Sequence, residues 1–142
     1  TIPNSVTEIK SYAFNHCSGF TGPLILTDSI IDIDDNAFYF CTSFNSLTLS
    51  NNVRHIGYLT FVRCDGFKSD LIIPRSVIDI EISAFSECPG FDGKLVIPDT
   101  FTRIENMLFQ GCSGFTENLM IPNSVISIGK EILKVVLDLL EL

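Results

Sequence analysis

Apolar residues recur along this chain at fixed intervals, in two alternating patterns. The first is a period-two pair: Leu24-x-Leu26, Leu47-x-Leu49, Leu71-x-Ile73, Leu95-x-Ile97 and Leu119-x-Ile121. Alternation bounded by a loop and by Pro74, Pro98 or Pro122 predicts a short strand that ends at the proline, which has no N–H to donate to a ladder. The second pattern is a pair three apart, as in Val6-x-x-Ile9, Val77-x-x-Ile80 and Val125-x-x-Ile128. It predicts a short bent strand on another side. Ala-Phe-x-x-Cys follows and predicts one helical or 3₁₀ turn.

These pieces form one sentence, L-x-I/L-P/T-x-S/N-V/I-x-x-I, whose six copies begin at or near Ile2, Leu24, Leu47, Leu71, Leu95 and Leu119. After each of the first five comes Phe-x-x-Cys-x-x-Phe, opening at Phe14, Phe38, Phe61, Phe85 and Phe109, with periods of 24, 23, 24 and 24. A constant period in the twenties predicts a solenoid, each unit burying its apolar face against its neighbours. The expected architecture is an α/β solenoid of short parallel strands with brief helical or 3₁₀ turns, in about five and a half repeats of 23–24 residues. Residues 1–129 form the array. Stacking places identical positions in columns about 4.8 Å apart. Ten of the twelve Phe residues then line two interior columns. Gly19, Gly66, Gly90 and Gly114 share one loop position, where a left-handed backbone is expected; Ser43 stands there in the second copy.

Residues 130–142 leave the pattern. Lys130, Glu131, Lys134, Asp138 and Glu141 fall on one stripe at about 100° per residue, so a helix capping the last coil is expected. Between the inward residues of each first strand lies one outward residue: Ile25, Thr48, Ile72, Val96 and Met120. Four of the five are apolar, where a solvated face would turn polar. This stripe is the candidate interaction surface.

The phrases Ile2-Pro3-Asn4-Ser5-Val6-Thr7-Glu8-Ile9, with Tyr12-Ala13-Phe14-x-x-Cys17, and Ile121-Pro122-Asn123-Ser124-Val125-x-x-Ile128-Gly129 resemble the BspA-like class of leucine-rich repeats. The resemblance runs over roughly residues 1–130. Copies two and three depart most, with Thr27 and Ser50 for the proline and Thr60 for the alanine. It implies a leucine-rich-repeat solenoid from a secreted or surface-attached protein, and an adhesive role toward host matrix or cell-surface proteins.

Composition narrows the alternatives. Hydrophobic residues make up 46% and charged ones 18%, too apolar for disorder. No apolar run of about 18 residues suggests a membrane span, and no charged-then-apolar leader opens the chain. It begins mid-repeat and reads as a piece of a longer protein. A net charge of −8 argues against nucleic acid.

Cys17, Cys41, Cys64, Cys88 and Cys112 occupy one column, where parallel Cβ vectors suit buried free thiols better than bridges. Without C-x₂₋₄-C pairs or converging histidines, no metal site is expected, and His16 and His55 lie at different repeat positions. Adjacent His16 and Cys17 should diverge, so no catalytic residue is assigned. Asp32-Ile33-Asp34-Asp35 reads as a solvated turn around an inward Ile33, and no nucleotide or other cofactor motif is present. The leading reading is a non-enzymatic protein-binding or adhesion module. The alternative is a structural spacer that self-associates through its ends or its terminal helix, and a Cys-dependent enzyme is the weakest.

Overall fold

The computed structural model describes residues 2–117 and 119–132. Ten short strands run along the chain: β1 (Glu8–Ile9), β2 (Gly22–Ile25), β3 (Asp32–Ile33), β4 (Phe44–Thr48), β5 (His55–Ile56), β6 (Leu71–Ile72), β7 (Asp79–Ile80), β8 (Leu95–Val96), β9 (Arg103–Ile104) and β10 (Ser127–Ile128). Every pairing is parallel, and partners are equivalent positions of successive coils. The chain is a parallel-strand solenoid of about five turns. On the Leu-x-Ile side β2 pairs β4 and β6 pairs β8. On the other side β1, β3, β5 and β7 form one sheet, with β9 and β10 a separate pair.

A turn joins the two sides in every coil. Val6, Ile30, Val53, Val77, Phe101 and Val125 each donate an amide hydrogen bond to the carbonyl three residues back, at Pro3, Thr27, Ser50, Pro74, Pro98 and Pro122. Proline suits that position because its own missing N–H is not called upon. Where Ser50 replaces it, the hydroxyl donates to Ile30 O at 2.7 Å and accepts from Asn52 N. The second departure is resolved similarly. Thr60 is buried, and its hydroxyl bonds Gly57 O at 2.7 Å, so the extra polar atom is satisfied.

The Ala-Phe-x-x-Cys segment is not a helical turn. It makes the expected three-back hydrogen bonds (Ala13 to Lys10, Asn15 to Tyr12, Cys17 to Phe14). Two residues per coil, four apart, nevertheless adopt left-handed φ: Tyr12 and His16, Asn36 and Phe40, Leu59 and Arg63, Ser83 and Glu87, Met107 and Gly111. A left-handed residue reverses the sense of the helix, so the result is a run of consecutive β-turns. Among the described residues there is no helix, so the expected solenoid of short parallel strands stands, with β-turns in place of its brief helical turns. Left-handed φ costs an ordinary side chain about 1–2 kcal/mol. The conformation aims alternate amides at the next coil, where Tyr12, Phe14 and His16 donate to Asp35, Ala37 and Tyr39 carbonyls at 2.7–3.1 Å. Those three bonds recur between later coils and offset the strain.

The conserved-position glycines correct a second expectation. Gly66, Gly90 and Gly114 do not have positive φ; only Gly22 and Gly111 do. Instead, a Cβ on Gly66 would meet the Phe44 and Thr42 carbonyl oxygens at 2.5 and 2.7 Å. Gly90 and Gly114 face the equivalent carbonyls of their own preceding coils. Glycine is needed because successive backbones nearly touch.

Inside, the columns form as expected. Phe14, Phe38, Phe61, Phe85 and Phe109 stack at centroid spacings of 5.1–6.0 Å. The second column, Phe20 through Phe115, stacks at 5.5–6.5 Å. All five cysteines are free. From Cys41 onward each thiol donates to the carbonyl of the first Phe in the preceding coil, as in Cys41 to Phe14 at 2.9 Å and Cys112 to Phe85 at 3.0 Å. Burial pushes the Cys41 thiol up to about 11 and raises Cys64 and Cys88 well above the ordinary value.

The repeat runs past the boundary drawn from the sequence. Glu131 has left-handed φ like Met107, Met107 N donates to Lys130 O, and Ile132 is buried in the core. The remainder of the expected terminal helix, residues 133–142, lies outside the described residues.

Candidate interaction surfaces

The predicted stripe is exposed, and the strands place part of it in register. Ile25 lies opposite Thr48 on β2 and β4, and Ile72 opposite Val96 on β6 and β8. Ile25, Ile72 and Met120 are 53%, 54% and 76% exposed, and Thr48 is exposed. Val96 is half-buried. No ladder joins β4 to β6, and Met120 is not on a strand. The five residues therefore form two paired steps and one isolated side chain. Their inward neighbours Leu24, Leu47, Leu71, Leu95 and Leu119 are buried, as period two requires.

The opposite face is charged. Register aligns Glu8, Asp32, His55 and Asp79 in one outward column. Two residues further along each coil, Lys10, Asp34, Glu81 and Glu105 provide a second outward row. Lys10 bridges Glu8 at 2.5 Å and Asp34 at 3.9 Å, and the hydrogen bond and charge of Glu8 raise the Lys10 pKa. Arg103 pairs with Glu105. His55 sits between, with Nδ1 3.6 Å from Asp79 Oδ2 and Nε2 3.8 Å from Glu81 Oε1. One donor atom from each of these three residues lies within 4.8 Å of the others. The sequence carried a signal for this cluster: His55 occupies the repeat position held by Glu8, Asp32 and Asp79. Cysteine pairs and adjacent histidines do not reveal it, because its members come from successive coils.

Other acidic residues serve the stack. Asp35 accepts from Tyr58 N at 2.9 Å, Asp70 from Lys94 N at 3.0 Å and Asp28 from Asn51 N at 2.9 Å, each tying one coil to the next. Ile33 is buried, as expected for the Asp32–Asp35 run. His16 and Cys17 diverge: Cys17 packs against the core, while exposed His16 stacks on Phe40 at 5.0 Å. The guanidinium of Arg63 lies 5.2 Å above the same Phe40 ring.

Periodic columns, parallel short strands and turn-paired Phe-x-x-Cys segments coincide with one family. The sequence matches the BspA type leucine rich repeat region in six copies, over residues 1–116 and 91–139. The chain belongs to that family. Its members are leucine-rich repeat modules of the kind that mediate protein–protein interaction, and the family is generally non-enzymatic.

Solved structures agree on the fold. A leucine rich cell surface protein from Faecalibacterium prausnitzii superposes with a TM-score of 0.70 at 25% identity, covering 90% of this chain and 30% of its own. The Treponema pallidum leucine rich repeat protein gives 0.65 at 24% identity, covering 87% and 67%. A leucine-rich repeat protein from Bacteroides ovatus gives 0.59 at 23%, covering 87% and 43%. The chain thus spans about a third of the length of the Faecalibacterium protein. No curated protein matches the sequence significantly. Among the described residues no helix is long and apolar enough to cross a membrane.

Proposed function

We propose that the array is a non-enzymatic protein-binding module, displayed at or outside a cell surface, that engages a protein ligand such as a host matrix or cell-surface protein through the Leu-x-Ile face. The observation carrying this reading is the exposure of Ile25, Ile72 and Met120, each more than half accessible, on a face whose preceding residues Leu24, Leu71 and Leu119 are buried. Ile72 beside Val96, with Ile25 and Met120 on other coils, offers a partner apolar side chains on this face, while the other sheet is lined with carboxylates. Family membership and the cell-surface protein among the structural neighbours support the location. Binding to a panel of immobilised matrix proteins, compared between the parent chain and Ile72→Ser with Val96→Ser, tests it. Binding that falls at least tenfold with unchanged thermal stability supports the surface. Equal binding by both chains removes the stripe from the interface.

The spacer reading draws on a different observation. The first coil borders a cavity of about 760 Å³ lined by Ile2, Val6, Ile9, Phe14, Phe20 and Leu24, among others, and Phe20 is 48% exposed where its column mates are buried. A core open at this coil is covered either by a preceding coil or by a second chain, and the spacer reading takes the second. Sedimentation velocity at micromolar concentration separates the two, since a self-assembling spacer sediments as more than a monomer.

A further inference from the structure

We propose that His55, Asp79 and Glu81 form a binding site for a zinc-type divalent cation that staples the third coil to the fourth. The donor set is one imidazole and two carboxylates, contributed by β5, β7 and the residue following β7. Imidazole is a ligand for Zn²⁺, Ni²⁺ and Cu²⁺, whereas Mg²⁺ and Ca²⁺ favour sites made of oxygen alone. A tetrahedral zinc ion with bonds of about 2.0–2.2 Å holds its donors roughly 3.4 Å apart. Nδ1 lies 3.6 Å from Asp79 and Nε2 3.8 Å from Glu81, so an ion on one nitrogen has one carboxylate at that range, and one donor from each of the three residues falls within 4.8 Å of the others. Rotation of the partly exposed Asp79 and Glu81 side chains must bring the second carboxylate in by up to about 1.4 Å, leaving the fourth position to water.

Two further features set this cluster apart from an ordinary acidic surface. Three other carboxylates of the face have cations of their own, Glu8 and Asp34 in Lys10 and Glu105 in Arg103, while Asp32, beside His55 in register, has no ion pair among the described residues. Among the described residues Asp79 and Glu81 pair with no lysine or arginine; the imidazole is their shared partner. The cluster also sits beside an interruption of the ladder. β5 and β7 are paired, and Glu81 N reaches Ile56 O at 2.9 Å, but no rung joins β7 to β9. A polar cleft of about 270 Å³ opens there, lined by Asp79, Thr100, Thr102, Arg103 and Glu105 together with Ile78, Ile80 and Phe101. Asp79 thus stands at the rim of a polar cleft with room for its side chain to turn toward an ion, while its backbone is held by the preceding coil.

The competing account makes His55 a counter-ion only, protonated between two carboxylates. His55→Lys separates the two, because a lysine preserves the positive charge and offers no neutral nitrogen ligand at pH 7. The experiment titrates the full chain with Zn²⁺ against a chromophoric chelator, in a Cys17→Ser background that removes the one thiol outside the deep core. The parent should bind one Zn²⁺ per chain. His55→Ala, His55→Lys and Asp79→Asn should each weaken that binding at least tenfold while keeping the circular dichroism of the parent. Millimolar Ca²⁺ should not displace the ion. Zn²⁺ should also raise the thermal midpoint of the parent and not of His55→Lys. Absence of binding, or equal binding by His55→Lys, overturns the site. Displacement by Ca²⁺ shows a diffuse acidic surface and overturns it as well.

Discussion

Replacing Gly66 by alanine isolates the contact that holds successive coils at their spacing. Its added Cβ would lie 2.5 Å from Phe44 O and 2.7 Å from Thr42 O, both backbone atoms of the preceding coil. Ordinary carbon–oxygen contact needs somewhat more than 3 Å, so coils two and three must part by several tenths of an ångström. The separation falls on the Phe44–Phe67 stack, already 6.5 Å between centroids. Overpacking of this kind costs about 1–3 kcal/mol, against which reduced freedom of the unfolded chain returns only about 0.4–1 kcal/mol. Gly66→Ala should therefore lower the urea midpoint by an amount equivalent to roughly 1–2 kcal/mol. Gly19 supplies the control within the same molecule. It occupies the same repeat position, lacks positive φ, and a Cβ there would meet nothing within 4 Å. Gly19→Ala should be neutral or slightly stabilising. Urea unfolding followed by circular dichroism compares the two. Equal losses for both would refute close approach and return the explanation to a shared backbone conformation.

Phe85→Ala removes a fully buried ring between Phe61 and Phe109 and should cost about 3–5 kcal/mol, measured by the same unfolding curves. The thiol ladder should be inert to a maleimide in the native state at Cys41, Cys64, Cys88 and Cys112, and reactive after unfolding; rapid native labelling would contradict the buried column. Alkali should destabilise the chain for the same reason. Burial raises Cys41 from 9.0 to about 11, so the folded chain keeps a proton that the unfolded chain releases. Stability is then whole below about pH 9 and falls as pH rises toward 11. The fall should be smaller in Cys41→Ala, and identical pH profiles would disprove the assignment.

The fold could be read from the sequence because stacking forces equivalent residues into the same environment. Leu71, Ile73, Val77, Ile80, Phe85, Cys88 and Phe91 are buried, as their columns required. What escaped was backbone geometry that no side-chain pattern encodes. Ala84, Phe85 and Cys88 are spaced like a helical turn, and the three-back hydrogen bonds of one are present. The left-handed residues Ser83 and Glu87 are ordinary L-amino acids, and nothing in their identity announces a positive φ. They are held there by bonds to Asn106 and Gln110 of the next coil, a constraint visible only once the coils are stacked. The glycines were misassigned for the same reason, since the carbonyls they avoid belong to another repeat.

Function is harder to read for a complementary reason. The interior of each coil must repeat, whereas its outward positions are free to differ, so chemistry enters through the exceptions to the pattern. His55 is one, a lone imidazole in a column otherwise held by Glu8, Asp32 and Asp79 within its sheet. Phe40 is another: outside both aromatic columns, it lies between His16 and Arg63 on the outer surface. Thr48 is a third, the one polar side chain in the Ile25–Met120 stripe. A search for motifs along the chain misses such residues because their neighbours in space are about 24 positions away in sequence. Aligning the copies and examining each outward column for its odd member finds them directly. In the acidic column the odd member is His55, and one coil on lie Asp79 and Glu81.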